Sequence, residues 1–430
     1  MLQARLQADH LVRNSLYLIL SSGLQAALGF TFWIIAARLF STADVGKASS
    51  LIAATAVIAY VALLGLNSAF VRYLPTAPDR DALITVGLLL AAACGAIMGL
   101  LYVLATPIVA PRLAFIEHRP ALGIGFVLLT AAAAVNLLTD SVFIASRKAG
   151  YNALVDGGLC GLAKVFAGVI LIGTGTYGLY CASVSGFAVA TLASLLLMIM
   201  VLRCRPSLRK PFQTLKPLLR FSGANYAGNV LILIPDLVVP LIVLDRRGAS
   251  AAAYFFVAFQ VANLLYSAGN AVEAVLLAEG SHAGTDSPEL LRRSRRLLMA
   301  LCPPACLVLI MGAHWLLLLT FGMKYSQHGT SALILLAVAA IPLAAVSWSQ
   351  AVLRLSGRLR AIVLSSGVYA VAICGLAWFL APHGLTALTA AWPIGGLLGA
   401  VVAAVAMPHK APPRHRRTDQ TRKRGVGSLR

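Results

Sequence analysis

Acidic side chains are scarce: 14 Asp and Glu stand against 35 Lys and Arg in 430 residues, and only 11% of positions are charged. With 60% of residues hydrophobic, a soluble globule would lack the polar surface to cover its core. Carboxylates for acid–base chemistry are few, and the connections between apolar stretches are too short to hold a soluble catalytic domain. The cysteines (Cys94, Cys160, Cys181, Cys204, Cys302, Cys306 and Cys374) form no Cys-x-x-Cys pair and have no nearby His at zinc spacing, so no metal site is expected. There is no Walker sequence. Gly173-Thr174-Gly175-Thr176-Tyr177-Gly178 fits G-x-G-x-x-G, but it joins two apolar stretches without the preceding strand that a dinucleotide site requires, and it reads as a tight turn.

Long hydrophobic runs are what the chain has in abundance. A bilayer core of about 30 Å takes about 20 apolar residues as a helix, and spans are expected at 14–37, 48–71, 82–109, 121–146, 151–172 and 176–202, then at 221–244, 250–278, 297–321, 329–353, 361–381 and 384–407. The ten-residue alternation of a membrane β-barrel is missing. The first run is longer than a signal-peptide apolar region and is read as a retained span. The expected fold is an all-α polytopic membrane protein of 12 transmembrane helices.

Orientation follows from the basic residues, which are retained on the cytoplasmic side. The N-terminal segment, the even-numbered connections and the C-terminal tail hold 27 of the 35 Lys and Arg, the odd-numbered connections hold 7, and Lys164 lies within a span. Both termini are therefore expected in the cytoplasm. Positive-inside sorting also accounts for the net charge of +21, so a nucleic-acid partner is not expected; the basic clusters suit an anionic lipid leaflet.

The spans divide into an N-terminal lobe at 1–202 and a C-terminal lobe at 221–407, joined by a basic linker at 203–220 and followed by a basic tail at 408–430, read as disordered. An even number of spans per lobe inserts both halves the same way, which places a pseudo-two-fold axis along the membrane normal. A central cavity between the lobes is the consequence.

Polar residues inside spans are costly and are functional candidates. In the seventh span Ser222, Asn225, Asn229 and Asp236 fall within a stripe about 60° wide at roughly 100° per residue. Pro235 and Pro240 flank the carboxylate and are expected to bend or break the helix, freeing carbonyls there. The eighth span adds Gln260, Asn263, Ser267 and Asn270, and the first adds Asn14, Ser21 and Gln25; these three faces are expected to line one cavity. Hydrogen-bonded glue between helices is the alternative. A second group, Asp140, Asp156 and Lys164, sits in the fourth and fifth spans. It reads either as a structural charge pair or as an ion-coupling site. Glu273 and Glu279 are similar cases.

Gly29 to Phe40, Val45 to Ser49, Leu64 to Pro75, Ala252 to Phe255 and Leu276 to Ser281 resemble polysaccharide flippases of the multidrug/oligosaccharidyl-lipid/polysaccharide (MOP) exporter superfamily. The resemblance implies two six-helix lobes in a MATE-like V, alternating access, and a polyprenyl-pyrophosphate-linked saccharide moved across a bacterial cytoplasmic membrane. It implies no cofactor, a possible coupling ion (H+ or Na+), and glycan-assembly machinery as a possible partner. A cation-coupled multidrug exporter shares the fold, and a membrane enzyme of glycan assembly is the reading from another class. Related flippases often hold pyrophosphate with basic cavity residues; here Arg13, Arg38, Arg72 and Lys164 are the available cations, and the contact stays unassigned.

Overall fold

The computed structural model describes residues 23–148, 150–208, 211–283 and 288–407, without the side chains of 211–225, 268, 271, 274, 275 and 277–288. Among the described residues every long apolar run is helical, because a backbone in hydrocarbon must satisfy its own hydrogen bonds. Eleven helices are long and apolar enough to cross a membrane, and a shorter apolar helix, α1 (Gly23–Leu39), covers the described part of the first expected span. The N-terminal half continues with α2 (Thr42–Ala62), a short α3 (Leu66–Tyr73), α4 (Arg80–Val109), α5 (Pro120–Ala145), α6 (Gly150–Ile170) and α7 (Gly175–Met200). The C-terminal half holds α8 (Pro211–Arg247), α9 (Ala249–Ala283), α10 (Pro288–Phe321), α11 (Met323–Leu355), α12 (Leu359–Leu380) and α13 (Leu385–Val405). This is a multi-pass, all-helical membrane fold of two lobes.

Local chemistry fixes the helix ends. Ser41 caps α2 by accepting from the Asp44 amide at 3.1 Å, and Asp79 caps α4 by accepting from the Ala82 amide at 3.0 Å, each satisfying an amide that the first turn leaves unpaired. The second span differs from expectation: α2 stops at Ala62, and Leu64 (φ 49°) and Gly65 (φ 78°) turn the chain through left-handed conformation into α3. A glycine accepts that geometry without the Cβ clash other residues suffer. The linker is also shorter than expected. The Arg205 amide donates to Asp81 and the Ser207 amide to Thr85, both at 3.1 Å, which ties the chain to the start of α4, and α8 already begins at Pro211.

Large apolar residues such as Ile108, Ile170, Met311 and Phe379 face outward, the surface that lipid covers. Inside, one apolar cluster runs through both lobes from Phe32 and Trp33 to Phe256 and Trp392. The lobes meet where α2 lies against α8 and α9, and small residues let them approach closely: a Cβ on Gly46 would stand 1.8 Å from the Ala249 carbonyl oxygen. Near that contact Thr42 and Ser250 share a hydrogen bond at 3.2 Å, Phe30 meets Phe321 edge-on at 5.4 Å, and Trp33 meets Phe256 at 4.4 Å. Arg38 of α1 donates to the carbonyls of Thr320 and Leu319, capping the C-terminal, partially negative end of α10 from the other lobe. The lobes are thus closed at this end. Toward the opposite end the Tyr226 hydroxyl donates to the Val61 carbonyl.

Candidate functional site

A cavity of about 380 Å³ opens among α8, α9, α11, α12 and α13, with Tyr60 of α2 as its N-lobe wall. It belongs mainly to the C-terminal lobe, where the sequence suggested a cavity midway between lobes. Helical spacing delivers its polar groups: Asn229 and Asp236 on α8, Asn263 and Asn270 on α9, and Ser347, Gln350 and Arg354 on α11 repeat at three-, four- or seven-residue steps and so share a face. The expected stripes of the seventh and eighth spans therefore converge, and Ser347 donates to Asn270 at 3.3 Å. Gln25 does not join them; it is exposed at the start of α1. Gln260 is half-buried outside the lining, and the Asn225, Asn14, Ser21 and Glu279 side chains lie outside the described residues.

Asp236 faces the cavity beside Tyr266, Tyr369 and Cys374 and makes no hydrogen bond or ion pair among the described residues. The helix does not break there: α8 is one uninterrupted helix from Pro211 through Pro235 and Pro240 to Arg247. Packing against α12 and α2 supplies the neighbours that let a membrane helix carry proline. Pro240 still lacks an N–H, so the carbonyl four residues back, that of Asp236 itself, loses its helical partner.

Arg354 is the cation that sequence reasoning missed. It donates from Nη1 to Glu273 at 2.8 Å, and from Nη2 to Asn229 at 2.9 Å and to Gln350 at 3.4 Å, while Gln350 donates to Ser366 at 3.2 Å. The guanidinium on α11 thereby joins α8 and α9, and Gln350 extends the link to α12. In sequence Arg354 stands one residue past the expected tenth span and reads as an ordinary cytoplasmic loop charge. Its i, i+4 spacing from Gln350 was the available signal. The cations named from sequence lie elsewhere: Arg38 caps α10, the Arg72 guanidinium lies 5.6 Å from the Tyr73 ring, Lys164 is in the N-lobe, and Arg13 is outside the described residues.

The second group assembles only in part. Asp140 and Asp156 bring their carboxyl groups together, Asn136 donates to Asp156 at 2.9 Å, and Asn152 donates to the Asp140 carbonyl at 3.3 Å. Asp156 sits on a π-helical stretch, Ala153–Cys160, a distortion often found at functional positions. One side-chain oxygen each of Asp140 and Asn152 is buried without a partner among the described residues. Lys164 pairs with neither carboxylate: its ammonium lies 4.2 Å from the Phe187 ring centroid, and its stem fills the space that Gly186 leaves without a Cβ. The wider π-turn shifts the register that follows and directs Lys164 toward α7. Lys164→Met should therefore cost about 0.5–2 kcal/mol, the range of a cation–π contact. Breaking a buried ion pair would cost about 3–5 kcal/mol, so denaturant unfolding distinguishes the two. No group of three or more His, Cys, Asp or Glu able to hold a metal occurs among the described residues.

Solved structures share this two-lobed helical fold. An inward-facing multidrug resistance transporter of the MATE family superposes with a TM-score of 0.71 at 15% identity, covering 90% of this chain and 96% of that one. The lipid II flippase MurJ, in an inward closed conformation, gives 0.71 at 11% identity over 91% and 87%. A MATE structure in complex with MaD3S gives 0.63 at 16% identity over 92% and 94%. A search of curated proteins finds no match. Residues 35–329 match the polysaccharide biosynthesis protein family, and the chain belongs to that family.

Proposed function

We propose that this protein is a flippase that carries lipid-linked oligosaccharide or polysaccharide precursors across a bacterial cytoplasmic membrane by alternating access, rather than an enzyme. The observation that carries the reading is a cavity of amides and charged groups at membrane depth in a member of a polysaccharide biosynthesis family. A saccharide headgroup cannot enter hydrocarbon without replacement hydrogen bonds, and Asn229, Asp236, Asn263 and Asn270 supply them while the lipid tail stays in the bilayer. Lipid II, the cargo named for the structural neighbour MurJ, supports the same reading. The closed lobe contact at Gly46 and Arg38 is the outer gate, both termini are cytoplasmic, and the basic connection that precedes Pro211 tethers the rocking lobes. Asp140 and Asp156 hold one proton or cation between them, with Asn136 and Asn152 as further oxygen donors or braces, and so couple transport to H+ or Na+.

Reconstitution in liposomes with labelled polyprenyl-pyrophosphate sugars tests this directly: leaflet exchange should require the protein and accelerate under a proton or sodium gradient. Absence of exchange under both gradients would sink the reading. Export of small aromatic cations is the second reading, favoured by Tyr60, Phe259, Tyr266, Tyr369 and Trp392 in a cavity of about 380 Å³, the size of a drug-binding pocket. Dye efflux from the same liposomes separates the two.

Asp156→Asn, which keeps the hydrogen bond from Asn136 but removes the charge, should abolish the acceleration by the gradient and leave slow exchange intact. Gradient-dependent exchange equal to the unsubstituted protein would remove the pair from coupling.

A further inference from the structure

The elbow after α2 frees a carbonyl, and the other lobe fills it. In a helix continued to residue 71, as hydropathy suggests, the Val61 carbonyl would accept from the Gly65 amide. Instead Leu64 (φ 49°) and Gly65 (φ 78°) turn left-handed, the Leu64 amide reaches that carbonyl in a turn at 3.2 Å, and the Tyr226 hydroxyl of α8 donates to it from across the lobe boundary. Tyr226 enters a notch of the N-terminal lobe beside Tyr60, Leu64 and Cys94, and Tyr60 is also the N-lobe wall of the cavity. Leu64 is a strained choice, because a left-handed residue sets its Cβ against the following carbonyl. Such strain persists where the surroundings hold it, and it gathers at switch regions. Here the surroundings are firm: Leu63, Leu66 and Phe70 are buried, and the Phe70 ring fills the space that Gly87 of α4 leaves without a Cβ. The elbow is thus anchored in one lobe and presents a backbone acceptor to the other.

We propose that Tyr226 and the elbow between α2 and α3 form the latch of the membrane end opposite the Gly46 contact, closed while the hydroxyl rests on the Val61 carbonyl and released when the lobes part there. That the lobes part at all rests on the alternating-access reading; the identity of the latch rests on these contacts. A neutral hydrogen bond suits the task, because its net contribution is modest and water takes its place on opening, whereas a buried ion pair is costly to separate. Leu64 adds a bias toward release: once Tyr226 withdraws, one of the contacts that hold the strained turn is gone and the turn relaxes. The Tyr226 ring leaves with its hydroxyl and opens a path beside Tyr60 into the cavity. The motion falls to α8, which meets α2, α3 and α4 across the boundary, because the elbow itself is packed into the N-terminal lobe.

Two substitutions at this contact should act in opposite directions. Spin labels are placed by Ser68→Cys on α3 and Arg360→Cys at the start of α12, both exposed positions, in the full chain with its native cysteines replaced by Ala. Ile362 packs against Gly228, which sets the start of α12 level with Tyr226. Double electron–electron resonance in nanodiscs then reads the separation of the lobes at this end. Tyr226→Phe keeps the ring but removes the donor, and should raise the ratio of parted to closed molecules about fivefold or more, a coupling of ordinary size. Leu64→Gly removes the left-handed strain and should lower that ratio about twofold or more. Should the labelled chain fail to fold, hydrogen exchange of the amides from 58 to 66 is read in the chain with its native cysteines, and should be faster in Tyr226→Phe. Distances or exchange unchanged by Tyr226→Phe, or a parted fraction raised or unchanged by Leu64→Gly, would each overturn the latch. Distances that respond as expected, with no leaflet movement of labelled polyprenyl-pyrophosphate sugars by the unsubstituted protein in liposomes, would leave the latch standing and remove the flippase reading. Leaflet movement by that protein with distances indifferent to Tyr226→Phe would do the reverse.

Discussion

Gly46→Ala is expected to hold the lobes apart at their closed end and to slow transport. The added methyl would lie 1.8 Å from the Ala249 carbonyl oxygen and 3.0 Å from the Ala253 amide nitrogen, both backbone atoms that no rotamer change can move aside. Overpacking of this kind costs about 1–3 kcal/mol, which shifts a two-state equilibrium about 5- to 150-fold. Thr42 and Ser250, whose hydroxyl oxygens are 3.2 Å apart, report the closed state directly. Cysteines at both positions should form a disulfide on oxidation, stop exchange, and release it on reduction. Adding Gly46→Ala should cut the rate of that crosslink about tenfold or more. Arg38→Gln, which removes the charge from the cap on α10, should have a smaller effect in the same direction, because a cation at a helix end contributes about 0.3–1 kcal/mol. Unchanged crosslinking in the Gly46→Ala background would rule out a gate at this contact.

The spans were legible because hydropathy and backbone satisfaction act on each segment alone. The same holds for Asn229 with Asp236 and for Asn263 with Asn270, whose seven-residue spacing fixes a shared face before any partner is known. What the sequence concealed depends on neighbours. Arg354 obeys the positive-inside pattern as well as any loop arginine, and only the approach of Glu273 from α9 and Asn229 from α8 draws it into the cavity. Lys164 lies eight residues after Asp156, a spacing that invites pairing, but the π-turn and the missing Cβ at Gly186 carry it to Phe187. Pro235 and Pro240 suggested a bent or broken helix; packing keeps it unbroken. The second span ended early because Leu64 and Gly65 turn left-handed, a backbone choice that no apolar count reports.

Asp236→Asn is expected to lower leaflet exchange at least about tenfold while leaving insertion intact and raising thermal stability. The two effects point in opposite directions for one physical reason. A half-buried carboxylate at membrane depth with no hydrogen bond or ion pair among the described residues is expected to burden the fold, since a charge within a span is costly even where a cavity reaches it. Substituting the neutral amide lightens that burden without changing the shape of the side chain, so a gain of about 1 kcal/mol or more is expected in unfolding. A carboxylate between two prolines and facing a cavity is expected to serve what it contacts there, as stability is commonly sacrificed at functional positions. Asp236→Ala separates charge from hydrogen bonding: Asn and Ala should fail alike because the charge is what matters, and an Asn variant that keeps most of the exchange Ala loses would show that an acceptor suffices and overturn the expected loss. Normal transport by correctly inserted Asp236→Ala protein would defeat the proposed role. So would a fall in stability of the Asn variant matching its loss of exchange, because Asp236 would then be one more polar brace between α8 and its neighbours.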